Sequence, residues 1–370
     1  MSRVRWLTTV AVLALFVPAG VTAGADKKKR ELQPSAVPEV TRVWPPPPQK
    51  PRIKLLQVVG GERDMLVKTK KSLVSRLVGD RSEEGFIHFR RPFGLTGDSR
   101  GRLYVTDTYL RGVFVLDATE REFRVFAAAS DVGFRQPLGI AVDSQDRVWV
   151  ADASLRNVLC YDREEKLLLM FGSDPGTGAK KTPILQRPAG LALDEKRQRV
   201  YVSDSKLHQI FVFDMKGKFL RQLGEAGSEP GQFSFPGTLF VDREGRLFVV
   251  DTMNARVQIF GPDFNLEQTV GGRCDTPGCL ALPKGVALDS EDHLYVTDAT
   301  FHNFQIFGHD PRDPDPQALS ALLFVGEEGQ RPGSFRVPGP IYINSQDQIF
   351  VADQMNGRIQ VFQYLKQESN

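Results

Sequence analysis

The chain has 370 residues, 41% of them apolar and 25% charged, with a formal net charge of +3. This composition excludes disorder throughout and supplies enough apolar side chains for a sizeable core. Residues 53–370 taken alone carry a net charge of −3, which argues against a phosphate-binding surface and so against nucleic acid as a partner.

At the start, Arg3 and Arg5 precede an apolar run from Trp6 to Val17, and Ala23-Gly24-Ala25 offers an A-x-A cleavage site. Residues 1–25 therefore read as a signal peptide, with the mature protein starting near Asp26 and exported to a periplasmic or extracellular location. The alternative reading of the same run is an uncleaved anchor, although it is short for a membrane span. No Cys stands near the cleavage site to carry a lipid, so membrane attachment has little support in the sequence. Residues 26–52 combine Lys27-Lys28-Lys29-Arg30 with a run of prolines at 45–48. They read as an extended basic tether, partly polyproline II, or as a leader without fixed structure.

Beyond residue 52 the chain repeats itself, and a repeat decides the fold before any single element does. Six segments begin at Pro92, Pro137, Pro188, Pro236, Pro283 and Pro338. Each has a short apolar strand closing on Asp or Asn, a tight turn, a second apolar strand ending in Asp, and a third strand rich in Val, Ile and Phe. A fourth strand follows in five of them, over 122–126, 166–171, 218–223, 266–270 and 322–325. Four strands every 45 to 55 residues is the spacing of a propeller blade. The last segment stops after its third strand, and the missing strand stands at the other end of the chain. Ile53-Lys54-Leu55-Leu56-Gln57-Val58-Val59-Gly60 matches Lys218-Phe219-Leu220-Arg221-Gln222-Leu223-Gly224 in pattern. The expected fold is thus all-β, a six-bladed β-propeller over 53–364 with four-stranded blades, closed by 53–60 completing the last blade, and a short tail over 365–370.

The repeated pattern P-x-G-[IL]-A-[VL]-D, then [LIV]-[YFW]-V-x-D, then [RHN]-x-[IVF]-x-[VIL]-[FY] resembles the NHL repeat over 53–364. With the Pro-rich stretch before it, the chain is similar to exported bacterial six-bladed propellers. The resemblance implies that His208 and His302, four residues after a repeat Asp, are repeat residues and not zinc ligands.

The repeat aspartates Asp107, Asp152, Asp204, Asp251, Asp298 and Asp353 suit turn capping, since one stands at the same place in every blade. Cys274 and Cys279 bracket Asp-Thr-Pro-Gly, a spacing that suits a small disulfide loop. Cys160 lies in a third strand and reads as a buried free thiol. Apolar positions at 73, 74, 77 and 78 suit a short amphipathic helix over 70–78. Variation concentrates in the turn after each repeat Asp, on the face that also carries the inter-blade connections. Tyr109, Leu155, Lys206, Met253, Phe301 and Met355 are the candidate binding residues there. The apolar ones form either an exposed patch at the channel mouth or packing between blades.

No catalytic residue or metal ligand is assigned, and no cofactor is expected, with calcium or zinc in the central channel left open. Three functions follow. The first is a protein-binding or scaffolding module of the cell envelope or extracellular space, with its partner on the inter-blade face. The second is a metal-dependent hydrolase or lyase with a channel-centred site, similar to lactonases and amidating lyases. The third is a carbohydrate or cell-wall binder using aromatic platforms such as Tyr109 and Phe301.

Overall fold

The first five Pro-led segments each fold as a four-stranded antiparallel sheet and the sixth supplies three strands of the last, because their strands are short, β-branched or aromatic, and separated mostly by turns of four or five residues. The computed structural model describes residues 42–65, 86–172, 184–309 and 319–366. The first blade runs Pro92–Gly97, Leu103–Asp107, Gly112–Asp117 and Glu122–Val125, from the channel outward. The other blades repeat this order from Pro137, Pro188, Pro236, Pro283 and Pro338. The fourth strands agree with those expected to within two residues at either end, the scatter usual for strand ends.

The ring closes as the sequence implies. Ile53–Val59 pairs antiparallel with Arg358–Tyr364, with Ile53 opposite Tyr364 and Val59 opposite Ile359. Ile53 and Leu55 are fully buried in a cluster with Tyr295, Phe304, Phe335 and Phe362. The last blade has a fifth strand. Val43–Trp44 pairs with Ile53 and Lys54, Trp44 packs edge-on against Phe362 at 5.7 Å, and Arg42 forms an ion pair with Glu327 at 2.6 Å. The expected tether over 26–52 is therefore corrected at its C-terminal end, where residues 42–52 lie on the propeller. A buried Trp and a paired Arg hold them there despite the prolines that follow. The helix expected over 70–78, and residues 1–41 with the expected signal peptide, lie outside the described residues. Among the described residues no helix is long and apolar enough to cross a membrane.

Neighbouring blades meet along their inner strands, and the Gly of P-x-G makes that approach possible. A Cβ at Gly139 would stand 2.7 Å from the carbonyl oxygen of Ala189, and one at Gly190 would stand 2.2 Å from that of Gly237. Hydroxyls on the second strands tie a blade to the inner strand of the next. Thr106 donates to the Leu138 carbonyl at 2.9 Å, Ser203 to Gly237 at 2.6 Å, and Thr297 to Gly339 at 2.7 Å.

Cys274 and Cys279 form a disulfide, and Cys160 is a free, buried thiol. Burial pushes the Cys160 thiol up to about 12, so little thiolate exists at pH 8. Iodoacetamide at pH 8 should leave native Cys160 unmodified and label it fully once guanidinium unfolds the chain. Rapid labelling of the native protein, read by mass spectrometry, would contradict this packing.

Candidate functional site

The repeat aspartates sit at the junction of the second and third strands, all fully buried, and their partners are backbone amides. Asp204 takes N–H bonds from Gln186 and Arg187 at 2.6 and 2.9 Å on one oxygen. It takes those of Lys206 and Leu207, both at 3.0 Å, on the other. Asp107, Asp152 and Asp298 do the same in their own blades. Each carboxylate thus clips the incoming inter-blade connection to the turn of its blade, which is the structural role expected of Asp in this position.

Two blades use a different set. Asp251 accepts from the side chains of Asn254, Arg256 and Gln258, and Asp353 from those of Asn356, Arg358 and Gln360. In both, the turn is a short 3-10 helix, Thr252–Asn254 or Gln354–Asn356. Opposite each lies a connection closed by a bridge between Ala226 and Phe233 or between Glu328 and Phe335.

His208 and His302 act on the same face. The Nδ1 of His208 accepts the N–H of Phe235 at 3.0 Å, and that of His302 accepts the N–H of Val337 at 3.4 Å. Phe235 and Val337 have φ of +53° and +58°, a costly conformation for such side chains. Each histidine steadies a strained residue just before an inner strand, which fits their reading as repeat residues.

These turns and connections form one face of the ring. On it Tyr109 is 68% exposed, Met355 54%, and Met253 and Phe301 44% each. Their blades are consecutive around the ring, so the four stand along one arc of this face, and Phe235, also exposed, packs edge-on against His208 of the neighbouring blade. Lys206 is exposed on the remaining sector. Leu155 departs from the expected set. Like Phe301 it stands three residues after its Asp, but it is half-buried against the core cluster containing Val150 and Leu159, while Ser154 holds the exposed position.

The central channel encloses a cavity of about 220 Å³ walled by inner strands, with Gly94, Gly139, Ala189, Gly190, Thr238 and Pro340 among its lining. Glu195 is the one acid in that lining among the described residues, and its oxygens accept the amide and hydroxyl of Ser144 at 2.8 and 2.5 Å. Calcium needs several converging oxygens, and zinc a set of His, Cys or carboxylate donors. The channel offers neither, and among the described residues no three His, Cys, Asp or Glu side chains come together. The residues present do not fit the calcium or zinc ion left open by the sequence.

At the channel mouth on the turn face, the residue after each leading Pro is Phe93, Leu138, Ala189, Gly237, Lys284 or Gly339. Leu138, Ala153 and Ala189 cluster there with Phe93, giving three adjacent blades an apolar wall. Lys284 stands alone as a charge in this ring.

Comparison with known proteins places these features. Residues 70–300 match the family model of the SMP-30/gluconolactonase/LRE-like region. A stretch of 88 residues is 38% identical to NHL repeat-containing protein 2 of Gallus gallus, covering 21% of this chain and 12% of that protein. The chain thus spans about an eighth of the length of that curated relative. Among solved structures, a streptogramin B lyase aligns with a TM-score of 0.52 at 12% identity, over 75% of this chain and 95% of its own. An auxiliary nutrient binding protein from Bacteroides ovatus aligns at 0.55 and 12%, over 75% and 70%. A structural genomics protein from Bacteroides thetaiotaomicron aligns at 0.56 and 15%, over 84% and 75%. At these identities the structural matches establish the propeller fold, and the family match covers more than half of the chain. The protein is a six-bladed β-propeller of the SGL/NHL-repeat superfamily and belongs to the SMP-30/gluconolactonase/LRE-like family.

Proposed function

We propose that the protein is an exported NHL-type propeller that works as a binding module through its turn face. The observation that carries this reading is the exposed apolar arc of Met253, Phe301, Met355 and Tyr109 over four consecutive blades. Large apolar side chains left exposed on one face of several neighbouring blades are what a partner or ligand site requires. Changing the four residues together to Ser should abolish capture of an envelope or extracellular protein partner while leaving the melting temperature within a few degrees. Retained capture by that variant would end this reading.

A second reading is a channel-centred hydrolase or lyase. Family membership and the likeness to a lyase favour it over a binding module. Among the described residues the channel lining supplies no metal-ligand set, which weighs against a metal-dependent form of this second reading. Turnover of five- or six-membered lactones, stimulated by added calcium, zinc or manganese, would decide for the enzyme. A carbohydrate or cell-wall ligand on Tyr109 and Phe301 is a third form of the binding reading, tested by affinity for insoluble glycans.

A further inference from the structure

Toward the face of the ring opposite to the turn face lies a further cavity, of about 260 Å³, between the segment that precedes the closing strand and the outer strands of the Pro283 blade. Pro45, Ile306, Leu322 and Leu323 give it apolar walls, and two cations, Lys50 and Arg52, stand in its lining. No Asp or Glu lines it among the described residues. The volume lies below that of an ordinary drug-sized site, which suits a body of about two fused rings.

Variation in the repeat shapes one wall. At the turn between first and second strands, Asp98, Asp143 and Asp242 each accept the Nε–H of an Arg four residues on, Arg102, Arg147 or Arg246, at 2.6 Å. In the Pro283 blade that position holds the shorter His293, whose Nδ1 bonds to Asp289 at 2.9 Å. Its ring lies 5.6 Å from that of Tyr364, and both rings line the cavity. The two nearby acids hold these rings from outside the lining, Asp289 through His293 and Glu291 by accepting the Tyr364 hydroxyl at 2.7 Å. Arg52 is fixed on both sides of its backbone: its N–H donates to the Trp44 carbonyl at 2.6 Å, and its carbonyl accepts the N–H of Leu365 at 2.7 Å. The bond to Asp289 raises the pKa of His293, burial raises that of Tyr364, and in both the Arg52 charge acts in the opposite sense. That charge therefore reaches both ring walls. Cations beside an apolar hollow are complementary to an anion with an apolar body, and a guanidinium matches a carboxylate through two parallel N–H bonds.

We propose that this cavity binds a small aromatic carboxylate, its carboxylate held by Arg52 with Lys50 at the rim and its ring system laid between Pro45, Leu322 and the rings of His293 and Tyr364. The site goes beyond the binding reading of the turn face and does not rest on it.

Calorimetric titration of the protein with sodium 2-naphthoate tests this. Saturable binding at millimolar concentration or below is expected, with the neutral 2-naphthamide and the bodiless acetate each at least about tenfold weaker. Arg52→Met should weaken 2-naphthoate by about ten- to a hundredfold, the loss typical of a charged hydrogen bond. Arg52→Lys, which keeps the charge and loses the fork, should weaken it less. Leu322→Asp changes a side chain that is 40% exposed, so the fold should persist, and it sets a like charge in the hollow that should abolish binding. The variant with Tyr109, Met253, Phe301 and Met355 changed to Ser should bind 2-naphthoate as wild type does. Absence of saturable binding, unchanged affinity in folded Arg52→Met or Leu322→Asp protein, or loss of binding in the turn-face variant would overturn the site.

Discussion

A chain that begins at Gly60 is expected to lose cooperative unfolding and near-ultraviolet dichroism, and to regain both when a peptide spanning residues 42–59 is added. The deletion removes Ile53 and Leu55, both fully buried, together with Val59 and Trp44. Burial of each such side chain contributes about 1.5–3 kcal/mol, so the loss is of the order of 6–12 kcal/mol. That rivals the whole stability of an ordinary domain. It also bares the backbone edge of Arg358–Tyr364, which should drive aggregation. Recovery with the peptide follows the logic of strand donation. A shortened protein that melts within a few degrees of the intact chain would show that the ring does not depend on its closing strand.

The second large effect is expected at a turn carboxylate. Asp204→Ala leaves four backbone N–H groups without their acceptor in a fully buried position. At about 1–3 kcal/mol for each unsatisfied group, with water reaching some of them, the net destabilisation should be about 3–5 kcal/mol by urea titration. Asp204→Asn keeps a carbonyl oxygen for one pair of donors and should cost roughly half as much. Glu120→Ala, at an exposed turn position, should change stability by less than about 0.5 kcal/mol. Equal effects at the two acids would remove the clip role assigned to the repeat aspartates.

The fold was legible because the pattern that carries it recurs six times. Any single run such as Leu103–Asp107 is an ambiguous apolar pentapeptide, but its recurrence between a leading Pro and an Asp-capped turn is not. Ring closure was legible for the same reason, since 53–60 copies a fourth strand found elsewhere in the chain. Val43–Trp44 escaped notice because two residues beside a proline run carry no periodicity. Its signal was Trp44 itself, an expensive side chain to leave in water.

The site was read less completely. Tyr109, Met253 and Met355 stand two residues after their Asp and are exposed, whereas Leu155, one residue further, turns into the core. In that blade the one-residue step takes the side chain from solvent to core, and composition does not reveal it. Phe301 occupies Leu155's position and is still exposed, which neither periodicity nor spacing foretells.

Closure of the ring by Ile53–Val59 and the last strand also sets an order of events in time. Ile53 finds its partner only after Tyr364 has been synthesised, and the intervening blades cannot lock into a ring before then. Contacts between the ends of a chain form slowly and late. Any machinery that handles the nascent polypeptide therefore meets an open array of sheets with both terminal edges bare, and the last strand to emerge converts it into a closed ring.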